Sequence, residues 1–160
     1  MINPIPTGYS TITCFITCED AKKEMEFLTR ALGAEKRMMM PCAETGRVMH
    51  AEMQLGTSVL MLSDKNPAME CKTVKDLCGS PCGFYLYVKD VDAAFERAVK
   101  AGGTVKQPVC DMFWGDRMGT FECPEGFMWT LATHVRDMTP EEIAKGQKAW
   151  MESMKAGSSK

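Results

Sequence analysis

His50 and Glu52 stand two residues apart in Val48-Met49-His50-Ala51-Glu52, a spacing that puts both side chains on one face of an extended strand. An imidazole beside a carboxylate can share a proton transfer or contribute to a divalent-metal site. The same pair also occurs as an ordinary polar cavity wall. A second group lies between Asp111 and His134, where Phe113, Trp114 and Gly115 adjoin Asp116 and Arg117. Large apolar surface beside opposite charges suits the mouth of a small-molecule pocket. In the alternative reading Trp114 plugs the core and Asp116 pairs with Arg117. Glu122, Thr130 and His134 follow, the last two sharing strand parity, so His134 can reach the same cleft rim. No Ser-His-Asp or Cys-His pair follows from spacing. Cys78-Gly79-Ser80-Pro81-Cys82 has no matching second pair and is weak as a zinc or redox motif.

These groups sit in a chain of 160 residues, 45% hydrophobic and 25% charged, with a formal net charge of -2. That is enough chain for one compact domain. No block of like charge gives the basic footprint of a nucleic-acid binder. No apolar run approaches the roughly 20 residues needed to span a bilayer, and the first residues lack a signal peptide's charged and apolar regions. A cytoplasmic protein with no membrane or nucleic-acid partner is expected, its eight cysteines reduced,. Fifteen methionines fit either a pocket for variable apolar ligands or a loosely specified core.

The elements that must hold these residues are legible in order. Residues 10–17 alternate as a strand, Asp20 caps a helix through Leu32, and Gly33 stops it. Met25, Leu28 and Leu32 form that helix's apolar stripe. Strands are predicted over 34–41, 47–55 and 58–63. On the second of these Met49, Ala51, Met53 and Leu55 form the apolar face, and Val48, His50, Glu52 and Gln54 the other. Residues 65–82 read as a linker with a short helical turn near 73–77. A strand over 84–88 then leads to a helix from Asp90 to Ala101, closed by Gly102-Gly103, and strands follow over 119–123 and 127–134. Thr139-Pro140-Glu141-Glu142 is a capping box opening a helix to about Lys155. Ile143, Gln147 and Trp150 lie near one face of that helix, which packs on the body or on a second subunit, and Gly157-Ser158-Ser159 is a frayed end.

Asp20 and Asp90, Gly33 and Gly103, and Gly56 and Gly126 are each separated by 70 residues. Three coincidences at one spacing indicate an internal repeat. The fold class is therefore α+β, with two βαβββ modules (1–64 and 83–136) forming curled mixed sheets around a cleft, then a C-terminal helix and tail over 137–160. At the same offset Glu52 pairs with Glu122 and His50 with Thr120.

The paired repeat resembles the vicinal oxygen chelate superfamily, which includes glyoxalase I, bleomycin resistance proteins, fosfomycin resistance enzymes and extradiol dioxygenases. Residues 48–52, 60–62 and 131–137, and above all Asp111-Met112-Phe113-Trp114-Gly115-Asp116-Arg117, look like its PhnB-like branch. The resemblance implies a homodimer with the ligand in a concave cleft. It also implies, in metal-dependent members, four ligands from equivalent strands, typically His or Gln on the first strand and Glu on the last. Those positions fall here on Thr13 and Gly83, and on Thr130 and Met61 (or Leu60). None of the five suits a divalent cation, so neither metal nor other cofactor is expected.

The reading is a protein that binds a small amphipathic or aromatic molecule through Phe113, Trp114, Asp116, Arg117, Thr13, Thr130, Glu122 and His134. The alternative is a lyase or isomerase of the glyoxalase type. It would use either a shifted metal held by His50, Glu52 and Glu122 or acid–base catalysis by His50 and Glu52.

Overall fold

In the computed structural model residues 2–157 are described. The elements run β1 (Cys14–Cys18), α1 (Ala21–Leu32), β2 (Glu35–Pro41), β3 (Val48–Leu55), β4 (Ser58–Asp64), β5 (Gly83–Tyr87), α2 (Val91–Lys100), β6 (Thr104–Asp111), β7 (Asp116–Glu122), β8 (Met128–His134) and α3 (Pro140–Gly157). Two four-stranded mixed sheets result, ordered β1-β4-β3-β2 and β5-β8-β7-β6. In each, the first and last strands of the module pair in parallel and the remaining neighbours antiparallel.

Local chemistry accounts for the helix ends. Asp20 accepts from the Lys23 backbone N–H at 3.1 Å and Asp90 from that of Ala93 at 3.0 Å, each satisfying a donor left over in the first turn,. Gly33, at φ +68°, closes α1 in the left-handed conformation,. Thr139 and Glu142 exchange side-chain-to-backbone bonds of 3.2 and 2.8 Å at the start of α3, the capping box read from the sequence,.

The helix-covered faces of the two sheets meet in one core. α1 packs on β3 and α2 on β7, and the helices pack on each other. Phe27 of α1 and Phe95 of α2 both meet Phe121 of β7 edge-on, at 6.1 and 6.0 Å, the geometry that ring quadrupoles favour. Met53, Leu62 and Leu131 complete the fully buried layer. Burying each such side chain contributes about 1.5–3 kcal/mol. Polar ties also cross between modules: the Glu125 carboxylate accepts from the Glu19 and Asp20 backbone N–H groups at 2.7 and 3.2 Å, and Arg97 Nε donates to the Ala31 carbonyl at 3.0 Å.

Because the helices take the inner faces, each sheet keeps its other face open. Phe15, Met38 and Met40 stand exposed on the first, Tyr85 and Tyr87 on the second. Among the described residues no hydrogen bond, ion pair or ring contact joins one open face to the other.

Three expectations are corrected. Residues 10–13 do not extend β1; a Thr13 hydroxyl bond to the Ser10 carbonyl folds them into a turn, and the segment before β1 lies across the first sheet. At the start of β3 the expected faces reverse, with Val48 buried and Met49 63% exposed. The ladder with β2 slips out of register at this point, between Met40 and Pro41, and such a slip re-aims side chains. The uniform 70-residue offset also fails in the later strands. Phe15, Met61, Glu52 and Met38 lie level across the first sheet, and Tyr85, Thr130, Thr120 and Gln107 across the second. Glu52 therefore matches Thr120, not Glu122.

α3 meets the body at the loop before β7. A Cβ on Gly146 would come within 2.6 Å of the Phe113 Cβ, so only glycine permits this approach,. Trp150 lies 6.2 Å from the Phe113 ring. Of the expected frayed end, Gly157 is instead the last residue of α3, and Ser158 and Ser159 fall outside the described residues.

Candidate functional site

The second open face is organised by the turn over 112–115. Gly115 N–H donates to the Met112 carbonyl at 3.1 Å, and Met112 N–H to the Asp116 carbonyl at 2.7 Å. The Gly115 carbonyl in turn accepts from Val135 and Arg136 N–H at 2.9 and 3.1 Å. Its φ of +98° excludes most side chains, and a Cβ would lie 1.9 Å from the Arg136 carbonyl oxygen,. This turn fixes the direction in which β7 begins.

Strand alternation then separates Asp116 from Arg117. Arg117 points to the helix side and bonds Asp92 at 2.7 and 2.8 Å and Asp111 at 3.0 Å. The expected Asp116–Arg117 pair is thus absent, since neighbouring strand residues face opposite ways. Asp116 points to the open face, where four donors converge on it. Tyr87 Oη, Tyr85 Oη and Trp114 Nε1 donate to Oδ2 at 2.9, 3.1 and 3.2 Å, and His134 Nδ1 lies 2.8 Å from Oδ1. The β7–β8 ladder sets His134 directly opposite Asp116, while the parallel β5–β8 ladder sets Tyr87 opposite Ala132.

Burial alone would push the Asp116 carboxyl up. The hydrogen bonds from His134, Tyr87, Tyr85 and Trp114 outweigh it and hold the group ionised below its usual value,. In return burial, followed by the Asp116 bond, raises the Tyr85 phenol to about 12, and the Asp116 bond raises Tyr87. Asp116 and then Asp137, whose Oδ1 is 3.0 Å from Nε2, favour the imidazolium of His134. Tyr85, Tyr87 and Trp114 are thereby tied through their polar tips, leaving ring surface toward solvent. Thr120 and Thr130 extend the face, their hydroxyls 2.9 Å apart.

The first open face carries a different cluster. Tyr9 Oη donates to both Glu52 oxygens at 2.8 and 2.6 Å. His50 Nε2 lies 3.2 Å from Glu52 Oε1, and Arg37 Nε 3.8 Å from Oε2. Phe15 stacks on His50, with centroids 6.2 Å apart. The Tyr9 bond, with His50 and Arg37, keeps Glu52 ionised below its usual value against burial. The expected His50–Glu52 juxtaposition is present.

Other expected site residues lie elsewhere. Thr13 precedes β1, Phe113 is half-buried toward α3, and Arg117 faces α2. Glu122 pairs with Lys106 at 2.9 Å and joins neither His50 nor Glu52. Trp114 is half-buried, between the two readings considered for it. Sequence reasoning passed over Tyr85, Tyr87, Tyr9 and Arg37. Tyr85-Leu86-Tyr87 carried a usable signal, two phenols on one strand face, whereas nothing local marked Tyr9.

The metal implied by the resemblance does not fit these residues. The level rows across the two sheets offer one carboxylate, Glu52, and one amide, Gln107, on separate sheets. Glu52 is already engaged by a phenol. Among the described residues no group of three or more His, Cys, Asp or Glu is placed so that it could hold a metal ion. No described helix is long and apolar enough to cross a membrane.

Residues 11–131 match the sequence model of the Glyoxalase/Bleomycin resistance protein/Dioxygenase superfamily. An uncharacterized protein of Mycobacterium bovis is 34% identical over 131 residues, covering 80% of this chain and 86% of that one. TioX from Micromonospora sp. ML1 shares 25% identity over 79% of this chain and 99% of its own, with a TM-score of 0.62. The PhnB protein from Bacillus cereus shares the fold at 20% identity and a TM-score of 0.60, over 78% of this chain and 99% of its own.

Proposed function

The chain belongs to the glyoxalase/bleomycin resistance protein/dioxygenase superfamily, and we propose that it works as a homodimer that binds a small aromatic or amphipathic molecule without a metal. The observation that carries this reading is the convergence of Tyr85, Tyr87, Trp114 and His134 on the Asp116 carboxylate. It fixes three aromatic rings before any ligand arrives, which lowers the ordering cost of stacking one against them. A ligand polar group can take the place of Asp137 at His134 Nε2. Thr120 and Thr130 offer further hydrogen bonds, giving the apolar surface with few polar anchors that small-molecule sites share.

What one chain leaves uncovered supports the dimer. Phe15, Met40, Tyr85 and Tyr87 are each about half exposed, and a second copy set over the open faces would turn them into the walls of an enclosed cleft. A cytoplasmic setting suits the eight free thiols,, and the balanced charge suits a small molecule better than nucleic acid.

Acid–base catalysis is the second reading, favoured by the 2.8 Å Asp116–His134 contact. A carboxylate that orients an imidazole through one nitrogen leaves the other to exchange a proton with substrate. His50 and Glu52 serve this less well, because their contact is longer, at 3.2 Å.

The test is a titration of planar aromatic compounds followed by tryptophan fluorescence, repeated with Trp114→Phe and Tyr87→Ala, alongside sedimentation analysis. Binding by a dimer that weakens at least about tenfold in Tyr87→Ala is expected. A chain that stays monomeric, or binding that ignores both substitutions, would refute the reading.

A further inference from the structure

The contacts of Tyr9 assign a specific chemistry to the first open face. Glu52 sits near the middle of that sheet with only 5% of its surface exposed, and what covers it is a phenol from the chain's own leading segment. Both carboxylate oxygens are within hydrogen-bond distance of the Tyr9 hydroxyl, at 2.8 and 2.6 Å. The Arg37 guanidinium lies 4.6 Å from the centre of the Tyr9 ring, within cation–π range.

The strap that delivers this phenol is lightly held. The Tyr9 N–H bond to the Pro6 carbonyl, the Ile5 N–H bond to Asn3 and the Thr13 hydroxyl bond to Ser10 are all internal to it. Among the described residues its hydrogen bonds to the sheet are those of Tyr9 to Glu52 and that of Arg37 to the Gly8 carbonyl at 3.2 Å. Ile2 and Ile12 are 96% and 84% exposed and Ile5 45%, so apolar burial holds it down only at Ile5. The segment is anchored at two adjacent residues, by the Tyr9 side chain and the Gly8 carbonyl.

We infer that Glu52, Arg37 and His50 form a subsite for the phenolic hydroxyl and ring of a small-molecule ligand, which Tyr9 fills in the ligand-free chain and vacates when a ligand enters. The inference rests on the small-molecule reading above and adds the ligand class and a built-in competitor. A carboxylate alone would equally attract a cation. Here Arg37 stands 3.8 Å from Glu52 Oε2, which offsets the negative field and favours a neutral hydroxyl donor. The guanidinium also provides a flat partner for the ring carrying that hydroxyl. Phe15 stacked on His50 adds aromatic surface beside the carboxylate.

The probe is p-cresol, the side chain of tyrosine as a free molecule. Its binding to the full-length protein is followed by NMR, with signals of Tyr9, the His50 ring and the Trp114 indole N–H assigned. In the wild-type protein the Tyr9 ring signals should move away from their docked positions as p-cresol is added. Tyr9→Phe removes the competing hydroxyl with little change in shape, and affinity should rise about tenfold or more, the worth of a hydrogen bond to a charged group. Adding Glu52→Gln to Tyr9→Phe should reverse the gain. The inference fails if p-cresol binds no tighter to Tyr9→Phe or Tyr9→Ala than to the wild type while their folds stay intact. A response of Trp114 without His50 and Tyr9 would also overturn it, but would leave ligand binding at the Asp116 cluster standing. No response anywhere, together with failure of the aromatic panel, would remove both readings.

Discussion

Replacing Glu24 by Gln should stabilise this protein, and by an amount that depends on pH. Glu24 lies in the first turn of α1 with no exposed surface, and neither carboxylate oxygen has a hydrogen-bond partner. Burial pushes the carboxyl from 4.5 up to about 7; the neighbouring Cys123 thiol offsets this only in part, and the Glu125 charge adds to the rise. A folded value above the unfolded one means that ionisation opposes folding. Stability is therefore full below about 4.5 and is lost as pH rises through about 7. At about 1.4 kcal/mol per pH unit, the wild type forfeits on the order of 3 kcal/mol once the group is fully charged. A glutamine side chain has nearly the same volume and never ionises. Urea unfolding at about pH 5 and about pH 8.5 should show the Glu24→Gln advantage larger at the higher pH by about 2–3 kcal/mol, with the m-value unchanged. An advantage equal at both pH values, or a destabilised variant at the higher one, would refute the reasoning.

Asp116→Asn should lower stability by about 1–3 kcal/mol in thermal or urea unfolding, because an amide cannot serve all four donors now bonded to the carboxylate. His134 in that variant should titrate lower by NMR than in the wild type. Its raised folded value stabilises the protein at low pH, a contribution lost as pH rises through that value, and this share of the pH dependence should shrink in the variant to what Asp137 supplies,. Gly115→Ala should cost upward of about 3 kcal/mol, since the new Cβ meets the Arg136 carbonyl at 1.9 Å in a positive-φ residue,; loss of the Trp114 fluorescence environment would report it. Gly146→Ala should loosen α3 even though alanine is worth about 1 kcal/mol in a helix, because the Cβ meets Phe113 at 2.6 Å. A raised melting temperature would count against the close packing described there.

Much of the fold was legible because its signals are local. Asp20 and Asp90 cap the helices that follow them through N–H groups three residues on, Gly33 ends one with its own backbone angle, and alternation over 48–55 predicted a strand. The repeat was visible because both modules keep their helices in step. Its arithmetic misled at Glu122, since the later strands drift by one or two residues and period-2 alternation magnifies small slips. At 10–13 the strand pattern lost to a turn.

The sequence by itself therefore determined most of the elements, their order and the His50–Glu52 proximity, which depend on residues within one or two turns of chain, and the doubled βαβββ plan, which the 70-residue repeat carries. Only the tertiary structure decided what those residues meet. Tyr87 and Tyr85 reach Asp116 across 29 and 31 residues, and Tyr9 reaches Glu52 across 43. Those meetings depend on the parallel β5–β8 pairing, on helices that claim the inner faces of both sheets, and on a strap that crosses the first. Each arises from burial summed over the whole chain, which leaves no mark in the spacing of the residues it brings together.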